Sequence, residues 1–151
     1  MPRGRMRSHA LLAALALLLA CGPRGSADDV DAVTRLATEF LSALDADPSS
    51  TWRELAEPLR TSVPEAQWPA QIAQMRAPLG RPITRGLANA VFAEELVNAP
   101  PGRYFMVEFD SQFTEAACGE RVVLMFERGA WRVAGYFVLD TRPRGARREA
   151  P

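Results

Sequence analysis

The side chains best suited to moving a proton in this sequence are carboxylates and tyrosines. Glu108, Asp110 and Tyr104 fall at alternate positions of one segment, so an extended backbone puts them on one face, where successive same-face positions lie about 7 Å apart at ~3.4 Å per residue. Tyr136 lies in a later segment whose alternation sets it opposite in face to Trp131, Val133 and Phe137. If the Glu108 face pointed into the fold, a buried carboxylate with a raised pKa would act as a base beside a tyrosine donor, the chemistry of a small isomerase or hydratase. The simpler reading has Phe105, Val107, Phe109 and Phe113 covering a core while Glu108, Asp110 and Gln112 face water, and the alternation favours it. Glu94 and Glu95 read in the same way, as a solvated pair rather than a catalytic dyad.

Three tryptophans and three arginines offer binding instead of catalysis. Trp52, Trp68 and Trp131 would make an aromatic pocket for an apolar ligand, but Trp52 and Trp68 each sit on an apolar helical stripe, where core packing is the default. Arg76, Arg85 and Arg132 would grip an anion if they met at a pocket rim. For Arg132 the expectation is structural, a cross-strand pair with Glu127 or Glu120. The candidate pocket is therefore Trp52, Trp68, Arg76, Tyr104, Glu108, Trp131 and Tyr136, with no catalytic residue assigned.

Several chemistries lack their residues. The single histidine is His9, inside a leader expected to be removed, so Ser-His-Asp and Cys-His systems have no base in the mature chain. Without imidazole or paired cysteines no zinc or copper site is expected, and no glycine-rich phosphate loop occurs; Gly119 and Gly129 read as isolated turn glycines. No cofactor is expected. All 18 basic residues are arginine, so no lysine amine is available for a Schiff base. Removing the three arginines of the leader leaves 15 against 18 acids, a net charge of about −3, which is no footprint of nucleic-acid binding.

The leader itself carries the clearest signal. Arg3, Arg5 and Arg7 precede an unbroken apolar run from Ala10 to Ala20, the pattern of a secretory signal peptide over residues 1–20. As a helix that run spans about 16 Å, half of a ~30 Å hydrocarbon core, too short to remain as a span. It ends Leu18-Leu19-Ala20-Cys21-Gly22, which resembles the lipobox of bacterial lipoproteins, with Leu19 where a small or β-branched residue is commoner. The resemblance implies cleavage before Cys21, a diacylglycerol thioether on its sulfur, acylation (palmitate or similar) of the new amino terminus, and a partner in the membrane itself. Several acyl chains exceed the two signals that stable anchoring needs. Gly22 in the next position implies, by the same analogy, an outer-membrane anchor facing the periplasm. Cys118 is then the one thiol left in an oxidising compartment; no internal disulfide can form, and an inert thiol is expected, in a turn-like stretch that leaves room for partial exposure.

The elements follow from periodicity. Residues 21–28 read as a lipidated tether, flexible through Gly22 to Ala27, and 29–140 as a single domain. Asp28 to Ala46 is a helix with Val30, Val33, Leu36, Ala37, Phe40, Leu41 and Leu44 on one face. A second helix is expected over Ser50 to Leu59, with Trp52, Leu55, Ala56 and Leu59 inward and Pro58 loosening its end. A third is expected to start at the capping box Ser62-Val63-Pro64-Glu65, with Trp68, Ile72 and Met75 inward and a kink at Pro69. Strands are expected over Arg85 to Val97, Tyr104 to Phe113, Glu120 to Arg128 and Trp131 to Asp140, the last two joined by a tight hairpin at Gly129. Residues 141–151 are too polar and proline-rich to order themselves. Helices first and then an antiparallel meander make the class α+β.

In order along the chain, Trp52, Val63-Pro64-Glu65-Ala66-Gln67-Trp68, Arg76-Ala77-Pro78-Leu79-Gly80, Arg85, Gly102-Arg103-Tyr104, Phe109, Phe113, Glu120 and Trp131-Arg132-Val133-Ala134-Gly135-Tyr136 resemble the domain-of-unknown-function family numbered 4019, found in secreted and lipid-anchored bacterial proteins. The likeness covers about Val33 to Val138, and the stretch Glu115 to Gly119 departs from it. It implies N-terminal helices on a curved antiparallel sheet of about four strands, a cone-like arrangement similar to the NTF2 and cystatin-like folds, and no known activity. The expected function is a lipid-anchored envelope protein that is no enzyme and binds an envelope protein or a small apolar ligand. The alternative is the carboxylate–tyrosine enzyme.

Overall fold

Phe105, Val107, Phe109, Ser111 and Phe113 turn alternately inward along one strand, and the helices are arranged to cover that face. The computed structural model describes residues 24–143. Helices α1 (Val30–Ala46), α2 (Glu57–Ser62) and α3 (Trp68–Arg76) precede strands β1 (Pro82–Ala93), β2 (Tyr104–Phe113), β3 (Ala116–Glu127) and β4 (Ala130–Pro143). The strands form one open antiparallel sheet in the order β1-β2-β3-β4, a curved meander with the helices on one face. The class is α+β as the pattern of elements requires.

Helix α1 lays Val33, Ala37, Phe40, Leu41 and Leu44 on the sheet, all at most 1% exposed. They meet Phe105, Val107, Phe109, Val122, Leu124, Trp131 and Val133 in one core. Val30, expected on the same stripe, stays exposed, because the chain enters the helix there from a short 3-10 turn at Ala27–Asp29.

The segment between α1 and α3 departs from the single helix expected over Ser50 to Leu59. It is a 3-10 turn, Pro48–Glu54, followed by the separate short helix α2. Between them Leu55 and Ala56 are extended and buried, with Leu55 bridging Val133 in parallel and the Ala56 N–H donating to the Val133 carbonyl at 2.7 Å. Hydrogen bonding to the open edge of β4 outweighs helix continuity there. Pro58 then sits in the first turn of α2, where its missing N–H is harmless. The Ser62 capping box does not form either. Pro64 to Gln67 make a turn, the helix begins at Trp68, and Pro69 occupies its first turn without a kink. Met75 is exposed where an inward position was expected; the inward stripe of α3 is Trp68, Ile72 and then Arg76.

The strand expected over Arg85 to Val97 exists, shifted to Pro82–Ala93, and β3 begins at Ala116 rather than Glu120. Cys118 and Gly119 are thus strand residues and not a turn, and Cys118 is buried at 6%. The hairpin at Arg128-Gly129 is as expected, both residues at positive φ (50° and 81°) between the pair Glu127 and Ala130, which is the twist a two-residue turn needs. β4 runs on through Thr141 to Pro143, past the expected start of a disordered tail.

Within β4 a register shift against β3 between Val123 and Leu124 inserts one residue after Val133. Such a bulge reverses the facing of all that follows. Tyr136 therefore joins Trp131 and Val133 on the buried face, and Phe137 turns out to water at 49% exposure, the reverse of what simple alternation predicts.

Residues 24–27, expected to belong to a flexible tether, are fixed on the body of the domain through Asp29. The Asp29 carboxylate accepts the backbone N–H groups of Arg24, Gly25 and Ser26 and the Trp131 indole N–H at 2.8 Å. Gly25, at φ 67°, lies so close to the Phe126 ring that a Cβ would stand 2.5 Å from it. The leader, the cysteine at position 21 and the last eight residues lie outside the described part of the chain.

Candidate functional site

The apolar stripes of three elements each end in a charged residue, and these ends meet. Asp45 follows Leu41 by one helical turn in α1, Arg76 follows Ile72 by one turn in α3, and Arg85 stands opposite Ser111 across β1 and β2. Glu120 occupies an inward position of β3, where its neighbours on the same face are Cys118 and Val122, and its side chain is 0% exposed.

The Glu120 carboxylate is saturated. It accepts from Arg76 Nη2 at 2.9 Å, Arg85 Nε at 2.5 Å, Ser111 Oγ at 2.6 Å and the Tyr136 hydroxyl at 2.6 Å. Asp45 closes the outer side, taking Arg76 Nη1 at 2.6 Å and Arg85 Nη1 at 2.5 Å. Tyr136 also accepts from Arg76 Nε at 2.9 Å, and the two guanidinium groups stack over Phe113 at 5.9 and 5.6 Å. Two positive and two negative charges thus cancel in a cluster that borders the core.

The electrostatics follow. Burial pushes the Glu120 carboxyl up, but the hydrogen bonds from Arg85, Ser111 and Tyr136 outweigh it and hold it below the ordinary range. Tyr136 is raised above the usual phenol value by burial and then by the Glu120 charge. Glu120 is therefore an anion with no free lone pair for a substrate proton, and Tyr136 a phenol already donating to it. The pair has the composition of an acid–base dyad and the wiring of a structural brace.

Cys118 lies next to this cluster on β3, and burial, with Glu120 second, raises its thiol to about 11. The pH dependence of stability follows by linkage. Glu120 is lowered in the fold, so its contribution is complete above its ordinary value of 4.5 and is lost as pH falls through the folded value. Cys118 is raised, so its contribution is complete below its ordinary value of 9.0 and is lost as pH rises to about 11. Urea unfolding at a series of pH values is expected to show both declines, and Cys118→Ala is expected to soften the alkaline one. Between the two, native Cys118 is expected to react with a disulfide reagent no faster than the domain opens.

The residues singled out from sequence are dispersed. Arg76 and Tyr136 do come together, in the cluster. Trp68 and Trp131 are core, the first donating to Thr51 Oγ1 at 2.9 Å, and half-buried Trp52 donates to the Val63 carbonyl. Tyr104 lies on the other face of the sheet with Ala56, Val123 and Met125, its hydroxyl donating to the Pro100 carbonyl. Glu108 is half-exposed on that outer face and pairs with Arg121 at 2.6 Å. Arg132 is exposed on β4 and makes neither expected pair; Glu120 goes to Arg76 and Arg85, while Glu127 accepts the Glu57 backbone N–H. Glu120, Asp45 and Ser111 were not among the sequence candidates. Glu120 was detectable as a lone charge at an inward position of an apolar strand.

Two open depressions flank the cluster. One, of about 340 Å³, lies between α1 and β1 and is lined by Thr38, Ser42, Asp45, Thr84, Arg85 and Leu87 among others. The other, of about 530 Å³, lies on the outer sheet face beside Glu108, Asp110, Gln112, Asp140 and Arg142. Among the described residues no group of three or more metal-binding side chains occurs, and no helix is long and apolar enough to cross a membrane.

Helices laid on an open four-stranded antiparallel sheet, with a neutralised charge cluster at one margin of the core, define the class of the domain. The chain belongs to the family described as "Protein of unknown function (DUF4019)", whose model matches residues 36–136. No match is found among the curated proteins or among the solved structures.

Proposed function

We propose that this is a lipid-anchored protein of the bacterial envelope, held to the outer membrane through Cys21, whose folded domain is a non-catalytic accessory module for a protein partner. The observation that carries the binding half of this reading is strand β1. Ile83, Leu87 and Val91 are 49%, 53% and 41% exposed on a strand that pairs with β2 on one side and, among the described residues, with no strand on the other. Among the described residues the helices fill the inner face of the sheet with side chains, which favours the edge over an interior site for a small apolar ligand. An open edge with apolar side chains accepts an extended segment of another protein as an added strand, with backbone hydrogen bonds giving affinity and the adjoining 340 Å³ depression receiving a side chain. The strand also carries devices that discourage pairing with just any edge: Pro82 at its start, a register shift between Leu87 and Asn89, and Glu94-Glu95 just beyond its end.

The wiring of Glu120 and Tyr136 supports the non-catalytic half, since among the described residues the one buried carboxylate beside a tyrosine is fully engaged. A photo-cross-linker at Leu87, placed in the lipidated protein in its own membranes, is expected to yield one protein adduct. Val91→Asp should abolish that adduct while leaving the unfolding midpoint within the small range of a surface change. The same probe at Phe137, on the outer face, should yield none. Equal labelling from both positions, or none from Leu87, would remove the β1 interface.

A further inference from the structure

The clasp at residues 24–29 fixes more than the start of the domain. Arg103 Nη1 reaches the Arg24 carbonyl at 3.5 Å, Gly25 packs on Phe126, and Asp29 holds Trp131. Arg103 precedes β2, Phe126 is next to last in β3 and Trp131 is second in β4, so the chain leaves the folded body at one end of the sheet. The same end carries the loop between β1 and β2 and the Arg128-Gly129 turn. At the tip of that loop Val97 is 90% exposed, the most exposed of the large apolar side chains among the described residues.

On the reading that Cys21 carries the lipid, three peptide units separate it from Arg24, a reach of about 11 Å at 3.8 Å per step. So short a connection cannot pass round the domain. It holds the hairpin end within roughly a headgroup layer of the bilayer and the opposite end away from it. The membrane-facing charges are mixed, with Arg24, Arg103 and Arg128 beside Asp28, Glu57, Glu94 and Glu95, all exposed. Net attraction to an anionic surface is therefore absent, and contact is imposed by the length of the connection.

We propose that the domain stands on its membrane on this end, with Val97 and the exposed Pro100 and Pro101 among zwitterionic lipid headgroups. The cluster of Arg76, Arg85, Asp45 and Glu120 then faces the aqueous phase, about 20 Å from the seat, since six strand residues at ~3.4 Å separate Glu120 from Phe126. The lengthwise edge of β1 stands upright between the two ends, open to a partner that approaches along the membrane. This inference rests on the lipid anchor and adds to it an orientation.

The test uses the full-length protein purified from its own membrane in lipidated form and reconstituted in phosphatidylethanolamine–phosphatidylglycerol vesicles. Nitroxide labels are placed at Val97→Cys and at Glu115→Cys, the latter exposed in the turn at the far end; buried Cys118 stays unlabelled. The label at 97 is expected to show a severalfold higher ratio of oxygen to nickel-chelate collisions than the label at 115, unchanged in 1 M salt. Flotation of the vesicles, with Cys21→Ser as control, reads the anchor separately. If the protein floats and the two labels give equal ratios, the seat is wrong and the anchor stands. If the difference exists but vanishes in salt, the seat is electrostatic and the short connection does not impose it. If the wild-type chain does not float, the anchor falls and the orientation falls with it.

Discussion

Glu120→Gln is expected to lower folding stability by about 3–5 kcal/mol in urea unfolding, the cost of breaking a buried ion pair by removing one partner. The substitution keeps the shape of the side chain and removes its charge. Arg76 and Arg85, with side chains 12% and 16% exposed, are then left with the single carboxylate of Asp45 between them. The new amide group also brings two donors to a site where Arg76, Arg85, Ser111 and Tyr136 all donate already. A double-mutant cycle separates a network from a set of independent contacts. Arg85→Met is expected to cost about 1–3 kcal/mol less in the Glu120→Gln background than alone. Additivity of the two changes would mean that the cluster is not a unit and that Glu120 is not committed to it.

Trp131→Ala is expected to cost about 3–5 kcal/mol, the usual range for deleting a large buried aromatic. The indole is 3% exposed, edge-on to Phe105 and Phe126 with ring centroids 5.2 Å away in each case. Its loss opens a cavity beside Phe105 and Phe126 and also frees Asp29, whose carboxylate gathers residues 24–26. Trp131→Phe keeps most of the ring and loses the N–H, so a cost nearer 1 kcal/mol is expected from that change. Hydrogen exchange at the amides of Arg24, Gly25 and Ser26 distinguishes the two roles: both variants should accelerate it, although one of them barely moves the global midpoint. Unchanged exchange in Trp131→Phe would show that the clasp holds without the indole.

What the sequence revealed and what it hid have physical reasons. The alternation of Phe105, Val107, Phe109 and Phe113 dictates β2 because a two-residue period survives any packing that covers one face. The hairpin at Arg128-Gly129 is legible because its backbone requirement is local. Tyr136 was misplaced because facing depends on parity, and the inserted residue after Val133 leaves no mark in composition. The split around Leu55 and Ala56 was invisible for a different reason: the hydrogen bond that extends them goes to Val133, nearly 80 residues later. Sequence reading makes Glu120 an ordinary cross-strand partner of Arg132, although it shares the parity of Val122 and Leu124 and so the inward face of β3. Its true partners, Arg76 and Arg85, and the second carboxylate they share, Asp45, come from three other elements and meet only when α1 and α3 have settled on the sheet. The family resemblance, by contrast, was carried by whole motifs and holds over residues 36–136.

The clasp between Asp29 and Trp131 also bears on the order of assembly. It closes a loop of 102 residues, joining the first described segment to the last hairpin. Ring closure over such a span is slow and entropically costly, so it follows the local hairpins rather than nucleating them. A chain that emerges amino-end first makes Asp29 long before Trp131 exists. Until β3 and β4 have paired, residues 24–26 and Asp29 have no Trp131 to dock on. Completion of the last strand pair is thus the step that draws residues 24–29 onto the domain, and it acts as a timer on how long that segment remains accessible.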